Sequence, residues 1–123
     1  MSYYGPAHTD SDIYVLFQEA NVIHVGDTWW NGIYPFIDYS TGGSIDGTIR
    51  AAEKTLSFIT DEMIVIPGHG PVGNKAGLTE FHEMLFTIRG NIADIKKQGK
   101  SIEEAISAKP TSRYDAKIGR AHV

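Results

Sequence analysis

The stretch IVIPGHGPVG, residues 64–73, joins an apolar run to an imidazole that stands between two glycines. The run MIVI, residues 63–66, is too short for a helix and predicts a buried strand that a proline ends. His69 then lies between Gly68 and Gly70, where the backbone can turn sharply or approach another group closely. Such a histidine belongs either to an ordinary turn or to a site presented at a strand end.

Two further strands are predicted closer to the N-terminus. DIYVLF, residues 12–17, and VIHV, residues 22–25, are separated by the short polar turn QEAN, a pattern typical of a β-hairpin. The dipeptide GD, residues 26–27, ends the second strand. A long loop rich in glycine and aromatic residues follows over residues 28–43, and long loops in compact domains often carry function.

Helices are predicted from apolar stripes with helical spacing and from their capping residues. Ser44 can cap the first helix, a second helix of about 20 residues begins near Leu78, and SIEE, residues 101–104, is a capping box that opens a short third helix. The stripes are Ile45, Ile49, Ala52, Leu56 and Ile59 in the first helix, and Phe81, Leu85, Ile88, Ile92 and Ile95 in the second. The order β-β-α-β-α-α predicts an α+β fold, a single domain over residues 1–123 with helices on one face of a mixed, mostly antiparallel sheet.

The composition restricts the classes of function. The chain has 123 residues, a formal net charge of −4 and no cysteine. The acidic balance argues against nucleic acid and against a membrane surface as partners, and no segment has the length of an apolar membrane span. The N-terminus does not have the pattern of a signal peptide, so the cytoplasm is the default expectation. Without thiolates, any metal ion has to be bound by histidine, aspartate or glutamate.

Three residues of that kind are predicted to lie in loops at strand ends. His8 precedes the first strand, Asp27 follows the second, and His69 follows the third. Two imidazoles and a carboxylate suit zinc, iron or manganese, and together they could hold one zinc ion with an open position. The alternative is that each residue separately occupies the surface or caps a turn.

Four segments in this order resemble the metallo-β-lactamase superfamily. The segments are GPAHTDSD, VIHVGDTWWNG, TGGSIDG and VIPGHGP. The resemblance covers roughly residues 4–73. The helices up to about residue 118 look similar to those of one bacterial branch of metal-dependent hydrolases. The resemblance implies that His8 binds a first metal ion, that Asp27 bridges two ions, and that His69 binds the second. Thr9 would then be a hydroxyl that orients its neighbour His8. The fold implied is one half of a helices–sheet–sheet–helices sandwich.

Several aromatic residues near Asp27 admit two interpretations. Trp29 and Trp30, with Tyr34 and Phe36, could line a substrate pocket beside the metal ions. Alternatively they pack in the core, which we predict for one of the two tryptophans.

The remaining predictions concern histidines: His24, a strand residue, is expected to be packed or hydrogen-bonded, His82 to lie at the surface, and His122 to be disordered.

The sequence differs from that of the family in its set of metal-binding residues. Members carry an N-terminal His-x-His-x-Asp-His motif, and none of the five histidines of this chain forms it. We therefore interpret the chain as the C-terminal half of such a hydrolase, expected to be inactive or very weak alone, with zinc binding weak or absent. Alternatives are a non-enzymatic binding module, or a hydrolase that needs a partner chain or works with one metal ion. The missing half or a second copy, forming a homodimer, would cover the exposed sheet face. The small-molecule substrate remains open.

Overall fold

The computed structural model describes residues 2–3 and 5–118, including the side chains up to residue 115. His122 lies outside the described residues. Within the described residues, four strands and four helices follow one another, which confirms the predicted α+β class. The strands are β1 (Ser2–Tyr3), β2 (Ile13–Phe17), β3 (Val22–Trp30) and β4 (Ile64–His69); the helices are α1 (Ile45–Leu56), α2 (Lys75–Lys97), α3 (Ile102–Ser107) and α4 (Ser112–Ile118), with a short 3-10 turn at Tyr39–Thr41.

The four strands form one mixed sheet in the order β1-β2-β3-β4. The first two pairs are antiparallel. Strands β3 and β4 are parallel, and α1 lies in the long crossover connection that parallel strands need. The predicted hairpin is present between β2 and β3, and Asn21 in its turn adopts a left-handed φ of 57°. The prediction of a mixed, mostly antiparallel sheet is therefore confirmed.

Helices α1 and α2 cover one face of the sheet and form the core with it. Leu16, Ile23 and Val65 lie side by side on this face across three strands. Both predicted apolar stripes contribute to the core, since Ile49, Ala52, Phe81 and Leu85 are buried against the sheet. Burial of these faces, rather than helix propensity, supplies most of the stability of such helices.

The opposite face of the sheet, here named the open face, carries Ile13, Val15, Phe17, Val22, His24, Ile64 and Ile66. Strand pairing places Val15, His24 and Ile66 in one row, and Phe17, Val22 and Ile64 in the next. Ile13, Phe17 and Ile64 are each more than two-fifths exposed. Because successive strand residues point to opposite faces, this second set of apolar residues is distinct from the core.

Two strand ends differ from the prediction. Strand β3 continues to Trp30 and β4 continues to His69, so Asp27 and His69 lie in strands rather than in the loops expected for them. The two extensions pair with each other in parallel, with Trp30 opposite His69. This pairing joins residues about 40 positions apart, which no local pattern reveals. Strand β1 and helix α4 were likewise not predicted.

Helix α1 begins at the residue that the sequence indicates. The Ser44 hydroxyl accepts a hydrogen bond of 2.9 Å from the Gly47 amide. We expect Ser44→Ala to lower the free energy of unfolding by about 1 kcal/mol, because an amide of the first turn loses its acceptor. Urea denaturation measures this loss. Ser101→Ala is the control: it removes the cap of α3, a helix without buried residues, and should change stability by less than half as much. Equal losses would contradict this interpretation.

No helix within the described part of the chain is long and apolar enough to cross a membrane.

Candidate metal centre

The fold brings the three predicted ligands together at one end of β3 and β4. The Asp27 carboxylate lies between two imidazoles: His8 Nε2 is 3.5 Å from its Oδ2, and His69 Nε2 is 3.3 Å from its Oδ1. His8 comes from the loop before β2, Asp27 from β3 and His69 from the end of β4. Residues separated by up to 61 positions in the chain thus meet around one carboxylate.

Asp27 owes its position to an irregularity in β3. The register of β3 against β4 shifts on both sides of Gly26, whose φ is 59°. Such bulges bend a strand and redirect the side chains beside them. Directly opposite, a Cβ on Gly68 would lie 2.2 Å from Asp27 Oδ1. Only glycine at position 68 therefore leaves space for the carboxylate.

His8 is held by the loop that precedes α1. Its Nδ1 lies 2.5 Å from the Phe36 carbonyl oxygen, which can only accept, so the ring proton resides on Nδ1. In the neutral tautomer this leaves the lone pair of Nε2 facing Asp27. Asp12 supports the loop, because its carboxylate accepts a hydrogen bond of 2.7 Å from the Thr9 amide. A carbonyl that fixes the tautomer in this way is a common support for a histidine that binds a metal.

His69 is positioned by Trp30 and Asn31, which follow Asp27 in sequence. The Trp30 ring stacks on the imidazole, with centroids 3.9 Å apart and an interplanar angle of 25°. The Asn31 amide donates to the His69 carbonyl at 2.9 Å, and the Asn31 side chain donates to the Pro71 carbonyl at 2.8 Å. The sequence interpretation did not identify Asn31 or the Phe36 carbonyl as supports of the site, because it considered histidine and carboxylate side chains as ligands and local patterns do not reveal which groups contact them.

The distance between each imidazole nitrogen and its nearest Asp27 oxygen suits two ligands of one metal ion. Two ligand atoms on one tetrahedral ion with bonds of about 2.1 Å lie about 3.4 Å apart. Each imidazole nitrogen is at that distance from a different oxygen of Asp27. Within the described residues, however, no group of three or more histidine, cysteine, aspartate or glutamate side chains is arranged to hold one ion. The donors therefore occur as two pairs that share Asp27.

Three of the other predicted site residues lie away from this carboxylate. Trp29 is fully buried and belongs to the core, as predicted for one of the two tryptophans. The Thr9 hydroxyl bonds to Ser11 within its own loop instead of orienting His8. His24 lies on the open face, where its Nδ1 accepts a hydrogen bond of 3.0 Å from the Gly26 amide.

Tyr34 faces the C-terminal helices. Its hydroxyl donates to the Asp115 carboxylate at 2.7 Å, and burial together with this bond raises the pKa of Tyr34 to about 12. Phe36 is 64% exposed beside the His8 ring. A cavity of about 410 Å³ adjoins Trp29 and Trp30, but Tyr34, Phe36 and the three ligands are not among its lining residues. The four aromatic residues therefore do not form one pocket over the candidate ligands.

Comparison with solved structures identifies the architecture. The DIM-1 metallo-β-lactamase superposes with a TM-score of 0.58 and 28% identity, over 69% of this chain and 40% of that enzyme. This is a partial metallo-β-lactamase fold. A metallo-β-lactamase from Pontibacter korlensis is similar with a TM-score of 0.54 and 16% identity, over 68% of this chain and 39% of that chain.

A third similar structure was solved in a di-iron-bound form. It has a TM-score of 0.51 and 22% identity, over 59% of this chain and 36% of its own. No protein-family model matches the sequence, and no curated protein is similar to it. This chain thus spans about two-fifths of the length of the metallo-β-lactamases that it resembles.

Proposed function

We propose that this chain supplies one half of the metal centre of a metal-dependent hydrolase. In this proposal His8 binds one ion, Asp27 bridges two, and His69 binds the other, with zinc expected and iron or manganese as alternatives. The observation that carries the proposal is the placement of Asp27, each of whose oxygens faces the Nε2 of a different imidazole.

The position of the ring proton of His8 favours a cation between His8 and Asp27. With its proton on Nδ1, neutral His8 directs a lone pair from Nε2 toward an oxygen of Asp27. Two acceptors that face each other across 3.5 Å repel unless a proton or a metal ion lies between them. A metal ion satisfies both groups at once, and the arrangement at His69 repeats the same nitrogen–oxygen spacing.

The donor set does not fit a complete catalytic centre. Catalytic zinc sites use three protein ligands and keep a position open for water, whereas each pair here offers one nitrogen and one oxygen. We therefore propose that these residues bind metal weakly and do not catalyse hydrolysis alone. Further ligands would have to come from another segment or chain, and the substrate stays open because the fold hosts several chemistries.

Metal binding tests the proposal directly. We expect the chain to bind zinc, and Asp27→Ala to weaken its affinity at least about 100-fold, because both nitrogen–oxygen pairs lose their shared ligand. Titration calorimetry on chelator-treated protein measures this, with metal content from plasma mass spectrometry as a second readout.

His82→Gln is the matched control for that titration. His82 also pairs with a carboxylate, Glu53, at 3.0 Å, but between α1 and α2. Its replacement should leave zinc affinity unchanged. Equal zinc affinity in the wild type and Asp27→Ala, or no binding at all, would refute the ligand assignment. Zinc-dependent turnover that disappears in His69→Ala would instead refute the proposed lack of catalysis.

A second candidate function is a non-enzymatic binding module. The observation that favours it is the open face, where apolar side chains of β2 and β4 are exposed on the side away from the helices and Val22 of β3 is half-buried between them. Contiguous apolar surface of this kind usually marks an interaction site. Under this alternative, association would survive removal of all metal by a chelator.

A further inference from the structure

We propose that Tyr34 and Asp115 are positioning residues for His8. Their hydrogen bond anchors a short segment of the chain that contacts the His8 ring and fixes the tautomer suited to a metal ion. The consequence for metal affinity rests on the proposed function, in which His8 is a ligand. The tautomer itself can be measured without metal, so the two proposals can fail separately.

The segment that contacts His8 covers residues 34–38 and is here named the support segment. Within it, the Phe36 carbonyl oxygen lies 2.5 Å from His8 Nδ1, and the Asp38 amide donates to the His8 carbonyl at 2.8 Å. Residues 34–38 belong to neither a helix nor a strand, so no regular ladder of backbone hydrogen bonds fixes their position. The placement of the support segment therefore depends on contacts that its own residues make with the rest of the chain.

Tyr34 makes such a contact at the start of the support segment. Its hydroxyl donates to the Asp115 carboxylate of α4 at 2.7 Å, and the Thr111 hydroxyl donates to the same oxygen at 2.9 Å. Burial and the bond to Asp115 raise the pKa of Tyr34 to about 12, so the hydroxyl remains a donor at neutral pH. The Tyr34 ring also packs against the hydrophobic core. Tyr34 thus joins the support segment to a helix that lies 81 positions further along the sequence.

Pro35 makes the connection between Tyr34 and Phe36 stiff. Its ring fixes φ at about −65°, and a proline also restricts the residue before it to extended conformations. The backbone between the two aromatic residues therefore has little freedom to absorb a movement. A displacement of Tyr34 is passed on to the Phe36 carbonyl and so to the hydrogen bond with His8.

The position of the Phe36 carbonyl matters because two acceptors face the His8 ring. The Phe36 oxygen faces Nδ1, and the Asp27 carboxylate faces Nε2 at 3.5 Å. A neutral imidazole carries one ring proton, so it can donate to only one of them. With the carbonyl in place the proton resides on Nδ1, which leaves Nε2 available to a metal ion. With the carbonyl displaced, the charged oxygens of Asp27 attract the proton to Nε2.

Nitrogen-15 NMR of the histidine rings tests this role in chelator, without metal. At about pH 8.5, about two units above the ordinary histidine pKa, the nitrogen shifts report which ring nitrogen carries the proton. His8→Gln identifies the signals of His8. We expect the Nδ1–H form to predominate in the wild type. In Tyr34→Phe, which keeps the packed ring and loses the hydroxyl, the ratio of Nε2–H to Nδ1–H should rise about 10-fold.

Tyr39→Phe is the matched control for this substitution. It also removes one phenol hydroxyl, from a residue that is 67% exposed and directly follows the support segment. Its tautomer ratio should equal that of the wild type. A general effect of losing a tyrosine hydroxyl near this loop would change both variants.

Substitutions of Asp115 test the same hydrogen bond from its other partner. Asp115→Ala should shift the tautomer ratio as Tyr34→Phe does, and the double variant should shift it no further, because each removes the same bond. Asp115→Asn keeps an oxygen that can accept from Tyr34, so it should retain the wild-type ratio. Rescue by asparagine separates positioning of His8 from a general effect of altering α4.

Zinc affinity measures the consequence for the proposed metal centre. We expect Tyr34→Phe and Asp115→Ala to bind zinc about 10-fold more weakly than the wild type, and Tyr39→Phe to bind it equally well. A wild type that binds no zinc would refute the proposed function, while the tautomer ratio would still decide the role of Tyr34. A wild type with the proton on Nε2, or an unchanged ratio in Tyr34→Phe, would overturn the positioning role.

Discussion

Replacing Trp29 with alanine is expected to destabilise the chain by about 3–5 kcal/mol, among the largest effects of any single substitution in it. Trp29 is fully buried, and its ring packs on Gly73 and Gly77 at the start of α2. Truncation leaves a cavity between β3 and α2 that glycine backbone cannot fill. Chemical denaturation followed by circular dichroism measures the loss.

The adjacent residue provides a matched control for that experiment. Trp30 is only partly buried, and its ring stacks on His69. Trp30→Ala should cost less than half as much stability but weaken zinc binding about 10-fold, since His69 loses its support. If both substitutions destabilise the chain equally, the division between a core tryptophan and a site tryptophan is wrong.

Gly68→Ala should have the second largest effect on stability, and it acts on the candidate site. The added Cβ would lie 2.2 Å from Asp27 Oδ1 and 2.8 Å from the Gly26 backbone. Because the backbone cannot yield easily, the carboxylate has to move away from both imidazoles. We expect a loss of about 1–3 kcal/mol in stability and at least about a 10-fold loss in zinc affinity.

Gly90→Ala is the control for this substitution. Gly90 lies in α2, and within the described part of the chain no atom beyond the local helix backbone comes within 4 Å of a Cβ added there. Alanine should therefore stabilise the helix by about 0.5–1 kcal/mol and leave metal affinity unchanged. Zinc binding by Gly68→Ala with wild-type affinity would show that the close contact with Asp27 is not essential.

The helices were the most predictable elements of this fold. Ser44 and the capping box at Ser101 mark two helix starts at the residues where the structure has them. Spacing of apolar residues gave the buried side of α1 and of the first half of α2, whereas Ile92 of the predicted α2 stripe is 46% exposed. Such signals involve residues within one or two helical turns of each other, so the sequence pattern displays them directly.

The ends of the strands were less predictable for a physical reason. The sequence over residues 22–25 predicts a complete strand, yet β3 continues to Trp30 because β4 supplies backbone partners from residues about 40 positions away. The register shifts around Gly26 belong to that pairing and have no local signature. They decide where the Asp27 carboxylate points, so its geometry was not predictable either.

The sequence alone determined the fold class, the starts of α1 and α3, the family resemblance and the identity of the three candidate ligands, because these depend on short-range patterns. Only the tertiary structure decided that His8 and His69 face opposite oxygens of Asp27, that Trp29 is core while Trp30 supports His69, and that His24 is central on the open face. These features arise from contacts between distant segments. A chain can encode such contacts without displaying them locally, since they form only when the sheet and helices pack.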